Sequence, residues 1–287
     1  MPRRKSVSED ELVDLHGKRG HSAFGSTGIG YATIQMLARR GAKVYMGARN
    51  VERAAVAIKQ LESENILVNN AAMQPEGPFK FDKNGLLDIM VTNHFSHFVL
   101  TDTLLPPLKE TANESGQFLT LLKLSSSAHM HPKPTTFSTK EAINKNYGES
   151  TGAYLSTYGN SKLANILHMK ELQKRLNTES VPITCIAVHP GRIATEGTTR
   201  FVSSIPYVGW LLNKFLKQMV FSAPWRHGAM TVAFAAAGKE VAAQREQYQG
   251  AYLVPIAATA TPSSFSRDER LQKELYETTE KIMSELF

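Results

Sequence analysis

The sequence predicts an α/β fold: a mostly parallel sheet covered by helices, in one domain over residues 1–287. Three observations predict it. Short apolar runs alternate with longer helical patterns along the chain. Several of those runs end in turn or polar residues, as in GARN, ILVNN and LSSS. No linker rich in Pro, Gly or Ser divides the series, and 287 residues are enough for one large core.

The elements follow in order. Gly28–Arg40 spaces Ile29, Ala32, Ile34, Met36 and Leu37 as one helix face, with Gly41 as its stop. Ala42–Met46 reads as a buried strand, and Val51–Glu64 as a helix with Ala55, Ile58 and Leu61 on one side. Ile66–Asn70 is a short strand. Leu86–Leu108 is mostly helical and should close near Pro106-Pro107, because proline has no N–H to donate. Phe118–Leu124 is a strand running into three serines, and 128–150 is polar and irregular, a surface loop. Gly152–Leu176 is a long helix and Val181–Val188 a strand ending at His189-Pro190-Gly191. Tyr207–Phe221 is amphipathic, Pro224–Ala237 a further helix, Gly250–Pro255 the last strand and Arg267–Phe287 a charged closing helix.

Composition bounds the function. The chain is 42% hydrophobic and 21% charged, which excludes a disordered polypeptide. A single cysteine, Cys185, excludes a disulfide framework and a cysteine-based zinc site, and no metal is expected. The apolar runs are too short to span a bilayer, and the N-terminal residues lack a secretory apolar segment, so a soluble cytoplasmic protein is expected. The net charge of +7 comes from scattered Lys and Arg, which does not point to nucleic acid.

Five constellations carry chemistry. Gly25-Ser26-Thr27-Gly28-Ile29-Gly30 precedes a helix, where backbone amides can approach a pyrophosphate. Alone, three nearby glycines also make an ordinary turn. Tyr158 and Lys162 stand four apart, one helical rung from each other, so an ammonium could lower the phenol pKa and make a general acid/base. Ser125-Ser126-Ser127 ends an apolar strand, where a hydroxyl could bond a substrate oxygen. Asn69-Asn70-Ala71-Ala72 closes another strand, and Asn93 lies inside the helical VTNHFSHF. The last is either a helix-surface residue or a buried one with a hydrogen-bond reason.

The ordered set of glycine turn, NNAA, Asn, Ser, YxxxK and HPG resembles the short-chain dehydrogenases/reductases. TNHFSHFVLT, LSSSAH, YGNSKLANIL and AVHPG are similar to the retinol-dehydrogenase-like branch of the classical type, and the likeness runs from about Gly17 to Pro255. The resemblance implies a Rossmann-type doubly wound parallel sheet. It also implies hydride transfer between NADP(H) or NAD(H) and a small-molecule carbonyl or alcohol. Under it, Tyr158 donates or accepts the proton, Lys162 lowers the Tyr158 pKa and holds the nicotinamide ribose, and Ser126 orients the substrate oxygen, with Ser125 as the fallback register. Asn93 anchors a water that relays protons to Lys162. Gly25, Ser26, Thr27, Gly28, Ile29, Gly30, Asn69 and Ala71 border the cofactor, and Pro190, Gly191, Ile193 and Thr195 flank the nicotinamide. Arg49, where an NAD site would place an acid, pairs with a 2′-phosphate and favours NADP; the other reading is a solvated Arg capping a turn.

Two departures from that pattern stand out. Arg19-Gly20-His21-Ser22-Ala23-Phe24 falls where the first, central strand should run, a place normally filled by Val, Ile and Leu, and Phe24 replaces the first glycine of the turn. Only Val51–Asn65 separates the second strand from ILVNN, so the sheet is expected to lack one edge strand. The alternative function is therefore a non-catalytic or cofactor-impaired relative acting as an interaction module. Residues 196–240 are read as a substrate lid, whose apolar 201–221 stretch implies a lipophilic substrate. A core-packed helix, or peripheral membrane contact helped by Lys214 and Lys217, is the other reading of that stretch. A homodimer through Gly152–Leu176 is expected by analogy only.

Overall fold

A computed structural model describes residues 7–16, 19–23, 28–41, 43–47, 68–69, 72–73, 78–115, 119–191 and 225–286. Seven strands form one sheet: β1 Arg19–Ala23, β2 Lys43–Gly47, β3 Val68–Asn69, β4 Leu119–Leu124, β5 Ile183–Val188, β6 Tyr252–Val254 and β7 Ala258–Thr259. Their spatial order is β2-β1-β3-β4-β5-β6-β7. The first six run parallel, and β7 turns back antiparallel on β6. The chain leaves β1 toward β2 on one side and returns to β3 on the other, which is the switch point of a doubly wound sheet.

Among the described residues the longer helices that cover it are α1 Gly28–Ala38, α2 running through Asp88–Met90, Val91–Phe95 and Ser96–Ser115, α3 Thr151–Thr178, α4 Trp225–Ala237 and α5 Glu269–Ser284. The pleat of β4 and β5 assigns the two layers, because side chains alternate between faces. Leu122, Leu124, Ile186 and Val188 pack with Met36 and Leu37 of α1 and Val232 and Phe234 of α4. Leu121, Ile183, Cys185 and Ala187 pack with Leu163, Ile166 and Leu167 of α3 and Leu271 and Leu275 of α5.

The first strand forms despite its composition. β1 pairs in full parallel register with β2, Arg19 opposite Lys43 through Ala23 opposite Gly47, and also joins β3 at Ser22 and Ala23. The ladder uses main-chain N–H and C=O groups that every residue here carries, so position between two strands decides the outcome rather than β propensity. Among the described residues β2 is the edge strand. The expected Val51–Glu64 helix and the short crossover lie outside the described residues.

Two expectations are corrected. Helix α2 does not close at Pro106-Pro107 but continues to Ser115 with both prolines inside it. Asp102 and Thr103, whose carbonyls lose their N–H partners, are exposed along with the prolines, so water can satisfy them. Residues 128–150 are not a bare surface loop: Phe137 and Ile143 are fully buried. The Glu274 carboxylate accepts from Phe137 N–H at 2.8 Å and from the Thr136 hydroxyl at 2.7 Å, and Asn144 Oδ1 accepts from Leu87 N–H at 3.0 Å. Local polarity could not reveal these distant partners. Within the Gly152–Leu176 helix, residues 157–169 are buried within their own chain. Tyr276 of α5 stacks on His168, and the Arg175 guanidinium lies 3.9 Å over the Tyr276 ring.

One close approach fixes the site's geometry. A Cβ on Gly159 would lie 2.3 Å from the Ala128 carbonyl oxygen, whereas one on Gly152 would meet nothing. Gly159→Ala should therefore destabilise the protein by about 1–3 kcal/mol through overpacking. Gly152→Ala should leave the melting temperature unchanged or slightly higher, and thermal denaturation of both variants checks the contrast.

Candidate functional site

The carboxyl ends of β1, β3, β4 and β5 share one edge of the sheet, and the site is built there. Beyond β4 the chain runs into Ser125 and Ser126. Helix α3 crosses this strand end and is stitched to it. Leu124 C=O accepts from Asn165 Nδ2 at 3.0 Å and from Lys162 Nζ at 3.4 Å. The Ser125 hydroxyl donates to the Lys162 carbonyl at 2.9 Å.

The serines differ in what they meet. Ser125 is occupied structurally by its bond to the Lys162 carbonyl, while the Ser126 side chain lies near enough to the Tyr158 phenol to draw its pKa down. Ser126 is also the N-cap of the 3-10 turn Ser127–Met130, its Oγ accepting from Ala128 N–H at 3.2 Å.

Asn93 is fully buried, which excludes the helix-surface reading. It lies in the π-helical stretch Val91–Phe95, a local widening that often marks functional sites. Its Oδ1 accepts from Met73 N–H at 2.7 Å, and its Nδ2 donates to Met73 C=O at 3.2 Å and to Ser161 Oγ at 2.9 Å. Ser161 in turn donates to the Tyr158 carbonyl at 2.7 Å. The Asn93 side chain therefore ties the segment after β3 to the helix turn that carries Tyr158.

Burial dominates the electrostatics. Lys162 is 2% exposed, and burial takes its amine down to about 7. Burial likewise pushes the Tyr158 phenol up to about 12, against a smaller downward pull from the Ser126 hydroxyl. The Lys162 nitrogen stands 5.5 Å from the Tyr158 ring centre. The expectation that Lys162 acidifies Tyr158 is not met in this arrangement: both groups are desolvated, and desolvation disfavours both charged forms. At neutral pH Tyr158 is a protonated phenol, the form that can donate.

The described part of the cofactor crevice fits a dinucleotide. Gly28 opens α1, the first described residue after β1, so the positive end of an eleven-residue helix faces the switch point. Gly30 is buried in its first turn, and Ile29 packs against the α1–α4 core. Past β5, Pro190 and Gly191 are half-buried. Gly191 has φ +100° and a Cβ there would meet Pro255 Cγ at 2.8 Å, so only glycine fits this bend. Lys162 Nζ, with one long bond to a carbonyl, has donors to spare for a ribose hydroxyl. Asn69 is the last residue of β3. Gly25, Ser26, Thr27, Arg49, Ala71, Ile193 and Thr195 lie outside the described residues, as does 201–221. Of the lid read at 196–240, Trp225–Ala237 is instead the core helix α4. Among the described residues no cluster of three His, Cys, Asp or Glu side chains could hold a metal ion, and no helix is long and apolar enough to cross a membrane.

The sequence missed Ser161 and Asn165, whose bonds hold the tyrosine turn to α2 and β4. Both sit inside YGNSKLAN, but only the Tyr–Lys spacing has a mechanism legible in one dimension.

Comparison with known proteins agrees with this geometry. No protein-family model matches the chain. It is 32% identical over 314 residues to a short-chain dehydrogenase/reductase of Armillaria gallica, covering 96% of both chains. A crystal structure of an uncharacterized protein from Mycobacterium paratuberculosis superposes with a TM-score of 0.73 at 21% identity, covering 98% of each chain. The 3-ketoacyl-(acyl-carrier-protein) reductase of Brucella melitensis, complexed with NADH, has a TM-score of 0.55 at 20% identity, covering 84% of this chain and 97% of that one.

Proposed function

Since the chain belongs to the short-chain dehydrogenase/reductase family, we propose that it is an oxidoreductase passing hydride between NADP(H) and a lipophilic carbonyl or alcohol, within the retinol-dehydrogenase-like branch. One observation carries the reading: Ser126 stands beside the Tyr158 phenol at the carboxyl edge of the sheet, near enough to lower its pKa, with Lys162 one helical rung away. The support for NADP is Arg49, and for a lipophilic substrate the apolar 201–221 stretch. Met130, 60% exposed on the turn that Ser126 caps, adds apolar surface at the same edge.

A bound nicotinamide would supply or accept the hydride. The protein's own groups do the rest. Ser126 bonds the substrate oxygen and stabilises its developing charge. Tyr158 delivers the proton to that oxygen. Lys162 and Gly191 shape the ribose and nicotinamide end of the crevice, and Asn93 holds the Tyr158 turn in place through Ser161. The proposal places the enzyme in the cytoplasm. Membrane contact through 201–221, with Lys214 and Lys217 toward anionic lipid, is the secondary reading, and vesicle co-sedimentation decides it.

The rival, a relative that has lost its cofactor, is separated by titrating the protein with NADPH and with NADH, followed by energy transfer from Trp. Saturable binding, tighter for NADPH, is expected. No saturation with either at millimolar concentration overturns the proposal. With a carbonyl probe, Ser126→Ala should lower kcat by about 10²-fold, the usual cost of one donor to a developing oxyanion. Ser125→Ala should act mainly on stability, by about 1 kcal/mol for its bond to the Lys162 carbonyl. The reverse order of kcat losses would move the role to Ser125.

A further inference from the structure

His129 lies three residues beyond Ser126, in the 3-10 turn that Ser126 caps, and is almost fully buried. Both ring nitrogens are engaged. Ser263 N–H, in the segment after β7, lies 3.1 Å from Nε2. A backbone N–H can only donate, so Nε2 carries the lone pair and the ring proton resides on Nδ1. Nδ1–H then donates to the Ser126 carbonyl at 2.7 Å, which also receives the His129 backbone N–H at 3.1 Å. The ring edge stands against Tyr252 of β6, centroids 5.1 Å apart. Tyr252 lies near enough to Tyr158 to feel its charge.

We propose that His129, as the Nδ1–H tautomer, is the positioning residue for Ser126, bracing the serine's backbone against the Ser263 segment so that its hydroxyl stays beside the Tyr158 phenol. It touches no reacting atom; it fixes the residue that does. The role rests on the oxidoreductase reading given above.

The groups facing His129 are Ser126 of its own turn, Tyr252 of β6 and Ser263 beyond β7. No charged side chain among the described residues contributes to its titration. Burial lowers its pKa, partly offset by the Ser126 carbonyl. Below that pKa a second ring proton sits on Nε2 and points at the Ser263 N–H, donor against donor. The bond breaks and the brace is lost while the Nδ1–H bond survives. Acid should therefore loosen Ser126 through one imidazole.

Long-range nitrogen–proton NMR of the whole protein reads the tautomer directly. The expected result is a proton on Nδ1, with the Ser263 amide resonance titrating together with His129 below the ordinary histidine range. A proton on Nε2, or a Ser263 amide indifferent to that titration, overturns the proposal. For turnover, the probe is p-nitrobenzaldehyde reduced by NADPH. His129→Phe keeps the ring and loses both bonds, and should lower kcat by about tenfold to a hundredfold, with KM for NADPH unchanged. His129→Asn places an amide donor where Nδ1–H stood but leaves the Ser263 N–H unmet, so it should restore only part of kcat and remove the acid limb of the kcat profile. Wild-type kcat in the Phe variant also overturns it. NADPH binding, measured separately, reports on the oxidoreductase reading alone, so the two can fail independently.

Discussion

Tyr158→Phe is expected to cut turnover about 10³-fold or more while NADPH binding stays within about twofold of wild type, because general-acid contributions run to about 10²–10⁴. The Phe ring keeps the buried volume of the site, so the fold should not change. What disappears is one O–H, and with it the proton that reaches the substrate oxygen. The direction of reaction enters through the phenol's protonation. A Tyr158 held up to about 12 by burial is protonated at pH 7, ready to donate. Carbonyl reduction should therefore proceed at neutral pH, and alcohol oxidation, which needs the deprotonated form, should rise toward alkaline pH. Steady-state rates in both directions across pH 6–10 read this, with the range chosen to approach the unperturbed phenol near about 10. Turnover in the Phe variant equal to wild type would remove Tyr158 from the mechanism. Loss of NADPH binding along with turnover would make the residue structural instead.

The catalytic half of the site was legible because its signals are local. A Tyr and a Lys four apart must share a helix face, and a serine after an apolar run must sit at a strand end. Asn93 was legible as a candidate, but not its environment. Its partners Met73 and Ser161 are 20 and 68 residues away, and nothing in VTNHF announces a π-helical turn. The same blindness to distance made 128–150 look like a loop, since Phe137 is held by Glu274 from the other end of the chain. The pKa relation failed for a related reason: spacing gives proximity, whereas burial, which outweighs it here, is a property of the folded whole. Residues 19–24 looked hostile to a strand because composition was the only guide; strand pairing depends on the backbone, and β1 forms between its neighbours. Lys123 is the complementary oversight. It lies in an apolar run that reads as an ordinary buried strand, and it proves to be a fully buried amine.

That amine leads to the second large effect: the protein should lose stability steeply as pH falls below about 6.5, the unperturbed histidine value. Lys123 on β4 meets His168 Nδ1 on α3, and His94 and His97 of α2 complete a buried basic group. His94 Nε2 bonds Thr279 of α5 at 3.0 Å, and the His94 and His168 rings stand edge to face. Burial first, and the Lys123 charge second, hold all three histidines well below their ordinary value. The folded state therefore stays neutral there at pH values where the unfolded chain has taken up protons. The unfolded state binds more protons, so stability rises with pH across this window and falls as acid is added. Each histidine contributes up to about 1.4 kcal/mol per pH unit between its unfolded and folded pKa values. Lys123 and Lys162, both lowered by burial, act in the same sense above neutrality, up to the ordinary lysine range. Cys185 and Tyr158, raised by burial, oppose them once the unfolded chain begins to lose those protons, above about pH 8.5 to 10. The melting temperature should therefore climb from acid toward a mildly alkaline maximum. With all three histidines acting, about 4 kcal/mol is at stake over one pH unit below 6, or roughly 10 °C for a chain of this size. His97→Phe removes one titrating group while keeping an aromatic ring, and should flatten the acid limb by about a third. Thermal denaturation at constant ionic strength measures both slopes. A melting temperature that does not change between pH 5 and 7, the window set by the unperturbed value near about 6.5, would mean that these imidazoles are charged in the folded protein.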